Sequence, residues 1–343
     1  MRMLKMVDLG MERQFFGPKL ENAILQVLEH TQYIRGPEVN AFAQELSGYL
    51  GGIHVTPCAN GTDALQLALM ALDVAPGDEV IVPAFTYVST AEVAALLRLR
   101  VRWAEVSLDH FNLLPEGLEK AWSPRVKAIV PVHLFGQAAP LKEIIDFARE
   151  KGIAVIEDAA QALGTEYIFS DGRRAKVGTL GDIGCTSFFP SKNLGCYGDG
   201  GAIFTASVTL AQRLARIANH GQDTLYEFRE VGVNSRLDSI QAAILRVKLP
   251  YLDEFNTRRR AIADIYDSYF KDIAALQVPA RMPWSTHIFH QYTLRVLSGK
   301  RDELRGYLHG GYSDGVLPTL RCIYSQLIAA LIIPKAAFHR LKG

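Results

Sequence analysis

Between residues 54 and 158 short apolar runs and amphipathic helical patterns alternate, and that alternation leaves few folds open. "HVTPCA" reads as a strand, "TDALQLALMAL" as a helix and "DEVIVPAF" as a strand. "TAEVAALLR" is helical again, followed by strands at "VRWAEV" and "VKAIVPVHLF". Helix "LKEIIDFAREK" stops at Gly152, and "IAVIEDA" is the next strand. Strands that are apolar along their whole length bury both faces. The spacing therefore predicts an α/β fold whose mostly parallel sheet carries helices on both sides. Before this core, Pro18 opens a helix with Leu20, Ile24, Val27 and Leu28 on one face. A second helix around Glu38–Leu50 ends at Gly51 and Gly52. After Thr205 the pattern turns helical to about Phe270, and a fresh strand and helix follow at "QYTLRVL" and "KRDELRGYL". We expect a large α/β domain over residues 1–250 and a small C-terminal α/β domain over 251–343.

Lys and Arg together number 37 and Asp and Glu 36, so no basic footprint for nucleic acid or an anionic membrane is expected. Cys58, Cys185, Cys196 and Cys322 form no C-x-x-C pair and no metal-like cluster with histidine. They read as buried reduced thiols, which suits a cytoplasmic protein, and no metal site is expected. Asp8 and Glu12 interrupt the first residues before a signal-peptide core develops. The run "LIAALIIP" is too short to cross a bilayer.

Ligands in open α/β sheets bind beyond the carboxyl ends of the strands, and five polar groupings fall there. In "CANGTDALQ" a strand, a turn at Asn60, Gly61 and Thr62, and a helix follow in order. Free N–H groups of the first helical turn make a phosphate cradle, although Asn60 or Thr62 also reads as an ordinary helix cap. In "VIEDAAQALG", Glu157 and Asp158 close a buried strand and Gln161 follows. A carboxylate there serves as a cap, a metal ligand or the partner of a cationic ring nitrogen. In "SFFPSKNLGCYGDGGAIFT", Ser187 and Lys192 flank an apolar turn, with Phe188, Phe189, Ile203 and Phe204 read as buried strand positions. Lys192 is either a snorkelling surface residue or a pocket amine. Phe85 and Tyr87 end another strand as core or stacking rings. Asn234 and Arg236 precede a helix that Ser235 or Asp238 could initiate. Together these supply a phosphate site, a carboxylate, an aromatic plate and a pocket lysine. That inventory fits pyridoxal 5′-phosphate.

These motifs, with "PAFTYVSTAEV", "NHGQ" and "VGVNSRLDSIQAAIL", resemble the sugar-nucleotide aminotransferases of the DegT–DnrJ–StrS group from about Val7 to about Leu308. The resemblance implies a fold-type-I pyridoxal-phosphate transferase acting as a homodimer with shared active sites. Within the group it is most similar to enzymes that aminate C3 of a UDP-linked 3-keto sugar for bacterial surface polysaccharide. It implies Lys192 as the amine that condenses with the cofactor, Asp158 against the ring nitrogen, and Gln161 at the ring hydroxyl. Tyr87 would stack on the ring. Gly61, Thr62 and Ser187 would hold the phosphate, joined by Asn234 from the second subunit. Arg236 would contact an acidic sugar or its diphosphate, and His220 is either a group at the substrate mouth or a structural histidine. A keto sugar nucleotide, UDP- or dTDP-linked, and glutamate are the implied substrates. A lysine at position 192 argues against the branch that carries histidine there and dehydrates sugars.

Beyond "RDELRGYL" the chain departs from the family, which continues with an apolar strand and a tyrosine-rich "YYP" loop. The departure predicts loss of the native reading frame near Leu308. A second reading follows from it: a cofactor-binding homologue that is inactive or regulatory.

Overall fold

A computed structural model describes residues 7–310 of the protein; the divergent tail lies outside them, apart from its first residues. Three helices come first: α1 (Leu9–Phe16), α2 (Pro18–His30) and α3 (Pro37–Tyr49). Pro18 and Pro37 occupy first helical positions, where the missing N–H costs nothing. The α/β core then runs β1 (His54–Cys58), α4 (Gly61–Ala71), β2 (Glu79–Pro83), α5 (Ser89–Leu96), β3 (Arg100–Ala104), α6 (Pro115–Ala121), β4 (Val126–Ile129), α7 (Leu141–Lys151) and β5 (Ala154–Asp158). A hairpin of β6 (Glu166–Ile168) and β7 (Arg174–Lys176) leads to β8 (Ile183–Ser187) and β9 (Gly201–Thr205).

Seven strands form one sheet in the order β1-β9-β8-β5-β4-β2-β3. The neighbours from β8 through β3 pair in parallel, whereas β9 runs antiparallel to both β8 and β1. The predicted, mostly parallel sheet is therefore present. Side-chain alternation decides which helix covers which face. Val80 and Val82 pack with Leu65, Ala68, Val93 and Leu214, so α4, α5 and α8 (Val208–Ile217) share one side. Ile81, Ile129 and Val155 face Leu118 and Ile144 of α6 and α7 on the other. Each such aliphatic side chain, fully buried, contributes about 1.5–3 kcal/mol. Helix α7 ends where Gly152 turns left-handed (φ 65°), as its sequence predicts.

After α8 a small hairpin, β10 (Gln222–Thr224) and β11 (Glu227–Phe228), stands on the surface. Helix α9 (Ser239–Lys248) packs with α3 against Phe188 and Phe204, and α10 (Leu252–Phe270) follows. Leu276–Gln277 (β12) pairs with Arg295–Val296 (β13), and α11 spans Arg301–Gly310. The strand expected over "QYTLRVL" is thus reduced to two residues. Cys58, Cys185 and Cys196 are buried free thiols, as expected, while Cys322 lies outside the described residues. No described helix is long and apolar enough to cross a membrane, and the described residues hold no metal-ligand cluster.

Candidate active site

Strands β5 and β8 are parallel neighbours, with Asp158 opposite Cys185, so Asp158 and Ser187 leave the sheet side by side. Lys192 follows in the turn after β8, held by its N–H to the Phe189 carbonyl at 2.8 Å. Across from them α4 begins. Asn60 is its cap, with Oδ1 accepting the Asp63 N–H at 2.8 Å. That leaves the N–H groups of Gly61 and Thr62 without an acceptor among the described residues. The cap reading of this turn is borne out, and it leaves the N–H groups that the cradle reading would use unoccupied by acceptors among the described residues. A Cβ on Gly61 would come within 2.7 Å of the Ser187 Cβ, and one on Gly201 within 2.5 Å of the Asn60 carbonyl. The glycines are what bring the helix end against the Ser187 turn.

Asp158 is buried, with Oδ1 accepting the Ala160 N–H at 3.1 Å and Oδ2 the Thr90 hydroxyl at 3.3 Å. Burial raises its pKa, against the pull of Ala160 and the positive charge of Lys192. Burial likewise lowers the pKa of Lys192, and the Asp158 charge opposes this. A carboxylate pushed up and an amine pushed down form a site that favours an additional cationic partner for Asp158 and a neutral amine at Lys192. Gln161 stands one turn on, its Oε1 accepting the Phe135 N–H at 2.7 Å, which turns its amide nitrogen away as a donor.

The two adjacent carboxylates have separate fates. Glu157 is fully buried on the opposite side of β5, where Oε1 accepts Leu180 and Gly181 N–H and Oε2 accepts Gly178 N–H. His133 completes the set at 2.9 Å; its Nδ1 accepts the Ala139 N–H, so Nε2 donates. Burial works to raise the Glu157 pKa, yet His133 and the backbone donors hold it below the ordinary value. Glu157 is an anchor for the Gly178–Gly181 turn, and Asp158 alone faces the site.

A cavity of about 320 Å³ opens on Lys192 and is lined also by Glu12, Asn193, Arg259, His290 and Tyr292. The Lys192 turn is itself fastened from below: Lys248 donates to both the Gly195 carbonyl and Glu12. Sequence reasoning gave these groups no role, since only the fold brings Lys248 of α9 to the Gly195 carbonyl and His290, just before the expected strand, to the Lys192 cavity.

Other expected residues lie apart from this cluster within one chain. Tyr87 sits in the loop after β2, 69% exposed and not in the core. Asn234 and His220 are exposed on paired surface segments, joined by the His220 N–H to the Val233 carbonyl, and neither shares a hydrogen bond with Lys192 or Asp158. Arg236 is half-buried beyond them. Ser235, weighed as a helix starter, instead accepts the Ala59 N–H at 3.0 Å and ties this segment to the start of the α4 turn. Asp238 takes the cap position of α9 without a side-chain bond. Phe189 departs from its expected burial: it is 51% exposed, because the chain leaves β8 at Ser187 and turns outward.

Residues 16–317 match the DegT/DnrJ/EryC1/StrS aminotransferase family. The chain belongs to this family. It is therefore an aminotransferase, with pyridoxal phosphate as its cofactor. The chain is 46% identical to UDP-2-acetamido-2-deoxy-3-oxo-D-glucuronate aminotransferase of Pseudomonas aeruginosa, over 86% of this chain and 80% of that one. The crystal structure of S. venezuelae DesV in complex with a ketimine intermediate superposes with a TM-score of 0.87 at 35% identity, covering 99% of this chain and 90% of that chain. NtdA of Bacillus subtilis, solved with bound cofactor PMP, superposes at 0.81 with 28% identity, covering 91% and 71%. The expected fold is borne out, and the inactive homologue is not favoured.

Proposed function

We propose that this aminotransferase moves an amino group from glutamate to a keto sugar nucleotide, a UDP-linked 3-keto sugar first of all, in bacterial surface-polysaccharide synthesis. The observation that carries the site assignment is the convergence of Lys192, Asp158, Ser187 and the free N–H groups of Gly61 and Thr62 at the neighbouring ends of β5, β8 and α4. The nucleotide sugar is argued from the 46% identical relative.

Pyridoxal phosphate, when bound, supplies an aldehyde for condensation with amines and a protonated ring that draws electrons from the attached carbon. The residues present fit it. Gly61 and Thr62 N–H groups and the Ser187 hydroxyl would hold the phosphate at the positive end of α4. Asp158 would keep a proton on the ring nitrogen, and Gln161 would donate to the ring hydroxyl. Tyr87 would cover the ring face. Lys192, depressed in pKa by burial, would be neutral enough for its Nζ to take up and return the proton of the donor's α-carbon.

In a homodimer Asn234 would complete the site by reaching the phosphate from the partner subunit, and Arg236 would contact the sugar acid or its diphosphate. The exposure of Asn234 in one chain supports this. So does the nearby β10–β11 hairpin, where Leu225, Tyr226, Phe228 and Val231 are 61–85% exposed. His220 stays a candidate for the substrate mouth. The small C-terminal domain would begin near residue 251, and the three reduced thiols favour the cytoplasm.

The test is direct. Purified protein with pyridoxal phosphate and glutamate is offered UDP- and dTDP-keto sugars, and products are identified by mass. Borohydride should fix the cofactor to the Lys192 peptide, and Lys192→Ala should lose both that adduct and turnover. Normal turnover by Lys192→Ala would falsify the assignment.

A further inference from the structure

We propose that Asn256, Asn193 and His290 form a hydrogen-bond relay that holds the His290 imidazole as its Nδ1–H tautomer and leaves Nε2 as a free acceptor for an amine at Lys192 in the cavity that both residues line. The proposal rests on the reading of Lys192 as the cofactor lysine and deepens it.

The direction of every bond follows from one end. The Leu163 carbonyl can only accept, so the Asn256 side-chain atom 3.2 Å from it is Nδ2. Asn256 then turns Oδ1 the other way, where Asn193 Nδ2 lies at 2.6 Å. With its nitrogen so engaged, Asn193 points Oδ1 at His290 Nδ1, 2.9 Å away. An amide oxygen has no hydrogen to give. The proton is therefore on Nδ1, and the neutral ring carries a lone pair at Nε2.

The relay is held in place. Asn256 is 1% exposed on α10, and a Cβ at Gly164 would come within 2.6 Å of its Nδ2, so the amide has no room to swing. Asn193 is the next residue after Lys192. His290 and Lys192 line the same cavity with Arg259. Burial, and then the positive charges of Lys192 and Arg259, keep His290 well below the ordinary histidine pKa.

The chemical consequence concerns Lys192 rather than the histidine. With Lys192 swung toward it in the shared cavity, a neutral Nε2 would accept one N–H of the lysine amine and orient its lone pair, yet would not take the proton away. His290 is thus a positioning residue for the proton-moving amine. His133 provides the internal contrast: Ala139 forces its opposite tautomer, which serves an anchor and not a reacting group.

The test uses the full-length chain without added cofactor, labelled with ¹⁵N-histidine. His290 is assigned by the signal missing in His290→Phe. A protonated Nδ1 with a bare Nε2 across the neutral range is expected, and a protonated Nε2 overturns the relay. Acetic anhydride modification of Lys192, followed by peptide mass spectrometry against pH, gives a second reading. Loss of the acceptor in His290→Phe should lower the apparent Lys192 pKa by about one unit, and an unchanged titration overturns the proposal. If His290→Phe does not fold, Asn256→Leu decides: the second tautomer should appear, and its absence overturns the relay. A protein with the expected tautomer and lysine shift that transfers no amino group would overturn the proposed function and leave the relay standing.

Discussion

Asp158 and Lys192 owe their chemistry to burial acting in opposite directions on a carboxyl and an amine. Asp158→Asn would keep the Ala160 N–H at its amide oxygen and turn its amide nitrogen to the Thr90 hydroxyl, which can accept as well as donate, while losing the charge that would hold a ring proton. We expect turnover to fall roughly 10²–10³-fold, with the melting temperature little changed, as read by steady-state kinetics and calorimetry. Gly61→Ala tests the cradle separately. Its Cβ would meet Ser187 at 2.7 Å and push the α4 turn away, so pyridoxal phosphate affinity should drop about tenfold or more by absorbance titration. Both proposed sites are legible in the sequence as candidates because they sit at strand ends, where ligands of open α/β sheets bind. The separation of Glu157 from Asp158 is not legible. Successive residues on a strand point to opposite faces, but which face holds the ligand depends on what packs there.

At the scale of elements, Glu157 joins β5 to the Gly178–Gly181 turn and to His133 through four hydrogen bonds. Glu157→Gln places an amide nitrogen against donors and should cost about 3 kcal/mol in urea unfolding at neutral pH. The sign of the pH dependence follows from the lowered folded pKa. The carboxylate's contribution is complete above the unfolded value and is lost as pH falls through the folded one, below the ordinary 4.5. The gap between wild type and Glu157→Gln should therefore close on acidification through that range, and a constant gap would contradict the anchor. Helix starts and stops at Pro18, Pro37 and Gly152 are readable because those residues act through their own backbone restrictions. The shrinking of "QYTLRVL" to two paired residues is not, since a strand exists only where a partner edge lies within hydrogen-bonding reach.

For the whole molecule, the exposed apolar tip of the β10–β11 hairpin is the feature that one chain does not satisfy. Leu225→Asp combined with Tyr226→Asp should convert the proposed dimer to monomer in sedimentation velocity and weaken cofactor binding with it, because Asn234 would no longer be supplied from the partner subunit. The alternation of apolar runs with amphipathic helices determined the layered sheet, and strand-end polarity singled out Lys192, Asp158 and the α4 turn as candidates, since periodicity and backbone restriction are local properties of the chain. Only the tertiary structure decided the rest: the antiparallel entry of β9, Lys248 fastening Gly195, and the relay from Leu163 to His290. These join residues tens to more than a hundred positions apart, and the direction of a hydrogen bond is set only when donor and acceptor are brought face to face.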